Sequence, residues 1–197
     1  MSSRKPPPKP YHHGNLHEAL LDAADQLLAQ HGAAGLTLRE VARAAGVSHA
    51  APYHHFAGLD ELFAAVAERS FLQLGQALAQ AAQASDAREA LLGICEAYVA
   101  HAVAHPAQFR LMFGPMLARK AEYPDFAQAA RAAFLQVLDA SGRYAPGQAA
   151  TVALAGWSLA HGFAHLAIDG ALEGLPVPAA PDAAMARQLA QWLLVPR

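Results

Sequence analysis

The chain reads as an all-α protein: an N-terminal three-helix helix-turn-helix domain followed by a C-terminal helical bundle. Three observations predict this. Apolar residues recur at three- and four-residue spacing, and no stretch alternates as a half-buried strand does. The apolar runs break at glycine or proline. Residues 36–62, LTLREVARAAGVSHAAPYHHFAGLDEL, hold two capped helical segments almost end to end, with a tight turn between them.

Taken in order, residues 1–14 form a basic, proline-rich arm with an extended PPPKP segment. Asn15 with Glu18 caps a first helix running to about Gln30 and ended by Gly32. Thr37 with Glu40 makes a capping box for the second helix, whose apolar face is Leu38, Val41, Ala42 and Ala45. Ala45, Gly46 and Val47 fill the turn, and Gly46 supplies the positive φ of a sharp corner. Ser48 is expected to cap a third helix that presents His49, Ala50, Tyr53, His54 and His55. A longer helix is predicted over about 59–84. Five more follow, over about 86–105, 107–113, 124–140, 146–168 and 182–194. The expected domains are 1–14 (arm), 15–62 (helix-turn-helix) and 63–197 (effector binding and dimerisation).

Hydrophobic residues make up 54% of the 197 positions and charged ones only 15%, so the chain can bury an ample core. A single cysteine, Cys95, excludes an internal disulfide. No apolar stretch follows the basic N-terminus, so a cytoplasmic location is expected rather than export. The net charge of −2 is unusual for a nucleic-acid binder. Up to Asp60 the cations Arg4, Lys5, Lys9, Arg39 and Arg43 balance Glu18, Asp22, Asp25, Glu40 and Asp60. Seven of the eleven histidines fall in that same stretch, and imidazoles beside a polyanion tend to hold a proton.

A short polar-faced helix after a tight turn is what the DNA major groove accepts. Arg39 is the candidate base reader, able to reach guanine O6 and N7 as a bidentate donor. His49 and Ala50 open the third helix, where side chains meet base edges. Ser48, Tyr53 and His55 are candidates for phosphate contacts, and Thr37 and His54 lie on the same edge.

The entry Thr37-Leu38-Arg39-Glu40-Val41-Ala42, then Ala45-Gly46-Val47-Ser48, Tyr53-His54-His55-Phe56 and Leu62, resembles the TetR family of one-component bacterial regulators. The upstream Tyr11-His12-His13-Gly14-Asn15-Leu16 is similar to an arm found in one branch of that family. The resemblance implies a homodimer that binds a palindromic double-stranded operator, most often as a repressor, and releases it when a small molecule binds the C-terminal domain. It departs from the family at Leu59, where a phosphate-holding lysine is usual. Family members pair through their last two helices. Gly147–Ile168 fits such a seam: it holds no Asp, Glu, Lys or Arg, and we read it as core and dimer seam rather than a membrane span.

A second resemblance, carried by His105-Pro106-Ala107-Gln108-Phe109-Arg110-Leu111-Met112-Phe113 and Trp157…His161-Gly162, is to the WHG-type C-terminal domain of some TetR-like regulators. It implies an effector site drawn from His105, Phe109, Met112, Phe113, Met116, Trp157, His161 and His165. The pairs His101/His105 and His161/His165, four residues apart, carry an alternative: a metal- or haem-binding helical sensor, should four imidazoles converge. No cofactor or metal is expected under the leading reading. No GxSxG, P-loop or HExxH motif occurs, so enzyme activity is not expected.

Overall fold

Leucines and alanines spaced three and four apart decide the first helix, α1 (Leu16–His31): Leu20, Leu21, Ala24 and Leu28 turn inward together and are buried. The computed structural model describes residues 16–117, 122–177 and 182–194, and the side chain of Met116 falls outside this description. The arm at 1–14 and the predicted cap Asn15 also lie outside the described residues. Every regular element among the described residues is helical.

The chain divides into two compact units, Met1–Leu62 and Phe63–Arg197. In the first, α1 packs on α2 (Leu38–Ala44), and a one-turn 3-10 segment, Ala51–His54, packs on α2. Leu36, Leu38, Val41, Ala42, Phe56 and Leu62 close its core. The helix α3 (Leu59–Ala81) is the stretch of chain in which one unit gives way to the other.

The second unit contains α4 (Ala87–Ala104), α5 (Pro106–Phe113), α6 (Pro124–Tyr144), α7 (Ala149–Ile168) and α8 (Ala183–Leu193). Helix α4 is the central element, packed against α6, α7 and α8. Asp86 and Asp182 cap α4 and α8 by accepting from the backbone N–H groups of Glu89 and Met185. Three arginines secure the helix ends. Arg143 donates to the carbonyls of Ala82 and Ala84 just past α3, Arg110 to Ile168 O and Asp169 at the end of α7, and Arg88 to Leu194 O at the end of α8. Arg187 of α8 pairs with Glu89 and Glu96 of α4.

Three boundaries differ from the sequence expectation, beginning with α3, which ends at Ala81 rather than about 84. Helix α6 runs to Tyr144 rather than to about 140, because Ser141 and Gly142 weaken a helix without breaking it and Arg143 favours it. It stops at Ala145, whose φ −137° and ψ 81° avoid the helical region that a following proline disfavours. Helix α7 starts at Ala149 rather than 146, because Gly147 turns the chain at φ +84°.

Candidate nucleic-acid interface and ligand cavity

The first unit presents one polar edge. The capping box at α2 is formed: Thr37 Oγ1 accepts from Glu40 N at 3.2 Å, and Glu40 Oε2 accepts from Thr37 N at 2.9 Å. The Thr37 hydroxyl also donates to Glu40 Oε2 at 2.9 Å, so the cap occupies most of its hydrogen-bonding capacity. The turn is a Schellman motif. Val47 N donates to Ala42 O and Gly46 N to Arg43 O, with Gly46 at φ +72°.

The predicted third helix is a single 3-10 turn. Proline at 52 has no N–H to donate to Ser48 O, and its ring would crowd that carbonyl in an α-helix. Ser48 O is taken instead by Ala51 N, three residues on, and Tyr53 N and His55 N likewise bond to Ala50 O and Pro52 O. Ser48 therefore does not cap a helix as expected, and no side chain caps this turn. Pro52 and Phe56 face the core. All eight predicted contact residues, Thr37, Arg39, Ser48, His49, Ala50, Tyr53, His54 and His55, are exposed, Tyr53 at 63%. Tyr53 keeps most of its surface exposed to water, as a residue that meets a partner would. The His55 ring lies 5.9 Å from that of His17, which itself packs 5.1 Å from Phe56.

The second unit has a different character. An aromatic cluster surrounds His161: ring centroids lie at 4.6 Å for Phe113, 4.7 Å for His165, 5.5 Å for Phe109 and 6.0 Å for Trp157. Trp157 Nε1 donates to the Tyr98 hydroxyl at 3.2 Å, and that hydroxyl pairs with His161 Nδ1 at 2.9 Å. Because the tyrosine oxygen accepts from the indole, its own proton is free for the imidazole, which then accepts as a neutral base. Burial, with the neighbouring His165 adding to it, lowers the His161 pKa, in keeping with that role. Burial raises the Tyr98 pKa, so the phenol stays protonated.

A cavity of about 290 Å³ lies between α4, α6, α7 and α8, walled by Leu91, Ile94, Tyr98, Val137, Val152 and Trp157 among others. A smaller one, about 80 Å³, is lined in part by Phe71, Tyr98, Phe113, Phe134 and Trp157. Of the expected effector residues, Trp157 lines both and Phe113 the smaller one. The others correct the sequence reading. Phe109 and Met112 are packed solid, at 0% and 1% exposure, because the α4–α5 corner at His105-Pro106 turns α5 inward. His105 is exposed at that corner. His161 and His165 belong to the aromatic cluster and line neither cavity, and the Met116 side chain lies outside the described residues.

Sequence reasoning missed most of the cavity wall. Leu91, Ile94, Cys95 and Tyr98 do share one face of α4 by their spacing, but a face toward a cavity and a face toward packed core carry the same pattern. The two histidine pairs are real neighbours on their helices, with centroids 5.1 Å apart for His101/His105 and 4.7 Å for His161/His165. Among the described residues no group of three or more His, Cys, Asp or Glu side chains is placed to hold a metal ion. Phe109 fills the space beside His161 and His165, at 5.5 and 5.3 Å.

Residues 20–66 match the family described as bacterial regulatory proteins, tetR family, and residues 91–192 match the tetracyclin repressor-like C-terminal domain. The chain belongs to the TetR family. It is a helix-turn-helix, DNA-binding transcriptional regulator. A solved protein of unknown function from Rhodococcus sp. RHA1 is 35% identical, with a TM-score of 0.80 over 96% of this chain and 100% of that one. The fatty acid degradation regulator FadR from Bacillus halodurans shares the fold at 16% identity, with a TM-score of 0.68 over 90% of this chain and 97% of that one. An uncharacterized HTH-type transcriptional regulator of Haemophilus influenzae is 39% identical over 77 residues, a match that takes in 39% of this chain and 38% of that protein's length.

Proposed function

We propose that this TetR-family regulator is a homodimeric, ligand-responsive repressor. It reads a palindromic operator with Arg39, His49 and Ala50, and holds phosphates with Ser48, Tyr53, His54 and His55. The observation that carries the reading is the uniform exposure of that edge on a formed capping box and Schellman turn, in a chain whose second unit holds a cavity. Its two-fold partner is a second copy of the chain. Helix α7 is long and apolar enough to cross a membrane by length and composition, but it packs on α4, α6 and α8 and carries Ser158, His161 and His165. Its outward stripe, Thr151, Leu154, Ser158, Gly162 and Leu166, is exposed at helical spacing, as are Trp192 and Leu193 of α8. Covering that stripe with its own copy satisfies both helices.

In the mechanism, a small molecule in the cavity prefers one arrangement of α4, α6, α7 and α8. The preference passes along α3 to the reading edges, which DNA requires at about 34–36 Å spacing. An effector that favours another spacing lowers operator affinity by its differential affinity for the two arrangements. Regulators of this kind work in the cytoplasm. The test is selection from random duplexes with the full chain: an enriched inverted repeat is the expected outcome, and enrichment of a single unrepeated site, or none, would overturn the dimeric reading.

A further inference from the structure

The wall of the larger cavity has an unusual chemistry. None of the residues lining it carries a formal charge, and none is histidine. Its polar groups are the hydroxyls of Tyr98, Tyr144 and Thr151, the Trp157 indole and the Cys95 thiol. Burial pushes the thiol up to about 11, so it offers no thiolate. Three arginines of the walling helices are committed elsewhere: Arg88 to Leu194 O, Arg143 to the carbonyls just past α3, and Arg187 to Glu89 and Glu96. Moving a carboxylate or ammonium out of water costs several kcal/mol unless a counter-charge or a full set of hydrogen bonds receives it. This wall supplies apolar contact, a few neutral hydrogen bonds and no counter-charge. Its volume of about 290 Å³ is roughly twice that of an engineered cavity known to hold benzene, about 150 Å³.

We propose that the cavity selects an uncharged, largely apolar molecule of about two fused rings or the equivalent chain, and rejects the carboxylate of the same shape. This rests on the reading of the second unit as the effector-binding one, and names the chemical class of its effector. The ligand lies between Ile94 on α4 and Val152 on α7, against Trp157. Its single polar group accepts from the Thr151 hydroxyl, because the Tyr98 proton goes to His161 and the Trp157 N–H to Tyr98.

The test uses a pair matched in ring system and in number of non-hydrogen atoms: 2-acetylnaphthalene and 2-naphthoate. Each is titrated calorimetrically into the full-length protein at neutral pH. The neutral ketone should bind, and the carboxylate should bind at least about tenfold more weakly. Ile94→Phe and Val152→Phe each fill the cavity from a different wall, so failure of one to fold leaves the other to decide. Either folded variant should lose ketone binding while its circular dichroism and its affinity for duplex DNA stay as in the parent. Val152→Arg supplies the missing counter-charge at a half-exposed position and should reverse the preference toward naphthoate. Equal or stronger binding of naphthoate by the parent, no binding of the ketone, or ketone binding undiminished in both folded fillers would each overturn the proposal. Release of DNA is scored separately. Ketone binding without release leaves this inference standing and removes the ligand-responsive repressor. Release by naphthoate alone does the reverse.

Discussion

His49, His54 and His55 stand exposed on the reading edge of the first unit, whereas His101 is buried on α4 and His161 is half-buried among aromatic rings in the second. The same side chain thereby serves two opposite purposes. On the edge, the three imidazoles remain in contact with water. Inside, burial, aided by His105, pushes His101 down to about 4, and burial, aided by His165, also lowers His161. The contrast extends to the units as wholes. Between Leu16 and Leu62 the sequence places Arg39, Arg43 and six carboxylates, all of them side chains that water can screen. The cavity of the second unit is walled without a single formal charge. The first unit keeps its charges and these histidines in contact with water, whereas the lining of the second unit's cavity carries no charge.

The largest effect should come from breaking the pairing that the proposed repressor requires. The structure refines where to strike. Ala160 is 3% exposed within its own chain, so a charge there damages the protomer itself, and Gly156 lines the cavity rather than the outward stripe, so a charge there does not test the pairing. Leu154 and Trp192, at 51% and 88% exposure, are the seam positions. Leu154→Glu combined with Trp192→Glu should give a folded monomer whose operator affinity falls by about 100- to 1,000-fold, through loss of the second tethered half. Sedimentation and mobility shift read this, and a double variant that still sediments as a dimer would place the seam elsewhere.

Next comes the interior histidine. His101 Nε2 has no hydrogen-bond partner among the described residues. The folded chain keeps this imidazole neutral down to about pH 4, while the unfolded chain takes up a proton below about 6.5. Stability from this group is therefore complete above about pH 6.5 and falls as pH drops toward 4, by about 3 kcal/mol in all. Urea unfolding at pH 7 and pH 4.5 should show the loss in the parent and a much smaller loss in His101→Leu. Equal losses in the two proteins would mean that other groups govern acid sensitivity.

On the reading edge, Arg39→Ala should cost about 1–3 kcal/mol at one base position and little elsewhere. A panel of single-base operator variants measures it, and an unchanged preference across the panel would remove the base-reading role. The smallest effects are those of phosphate holders. Tyr53→Phe and His55→Ala should each weaken binding to every sequence alike, by about 0.5–1.5 kcal/mol.

Local chemistry made much of the first unit legible in advance. A capping box needs only Thr37 and Glu40 three residues apart, and a Schellman turn needs only Gly46 in place, so both were readable and both are formed. The exposure of the contact residues follows from their polarity on so short a segment. The one local error, a full helix after Ser48, came from weighing the cap above Pro52, whose missing N–H confines the segment to a 3-10 turn. By itself, then, the sequence determined the all-helical class, nearly every helix and its ends, and the reading edge, because those depend on interactions within a few residues. Only tertiary structure decided which apolar faces meet and which leave a void. Phe109 and Met112 look as suited to a binding pocket as Ile94 and Val152, yet the first two are packed solid and the second two face empty space. That distinction depends on how four helices from distant parts of the chain fail to fill the volume between them, which no residue's immediate neighbours encode.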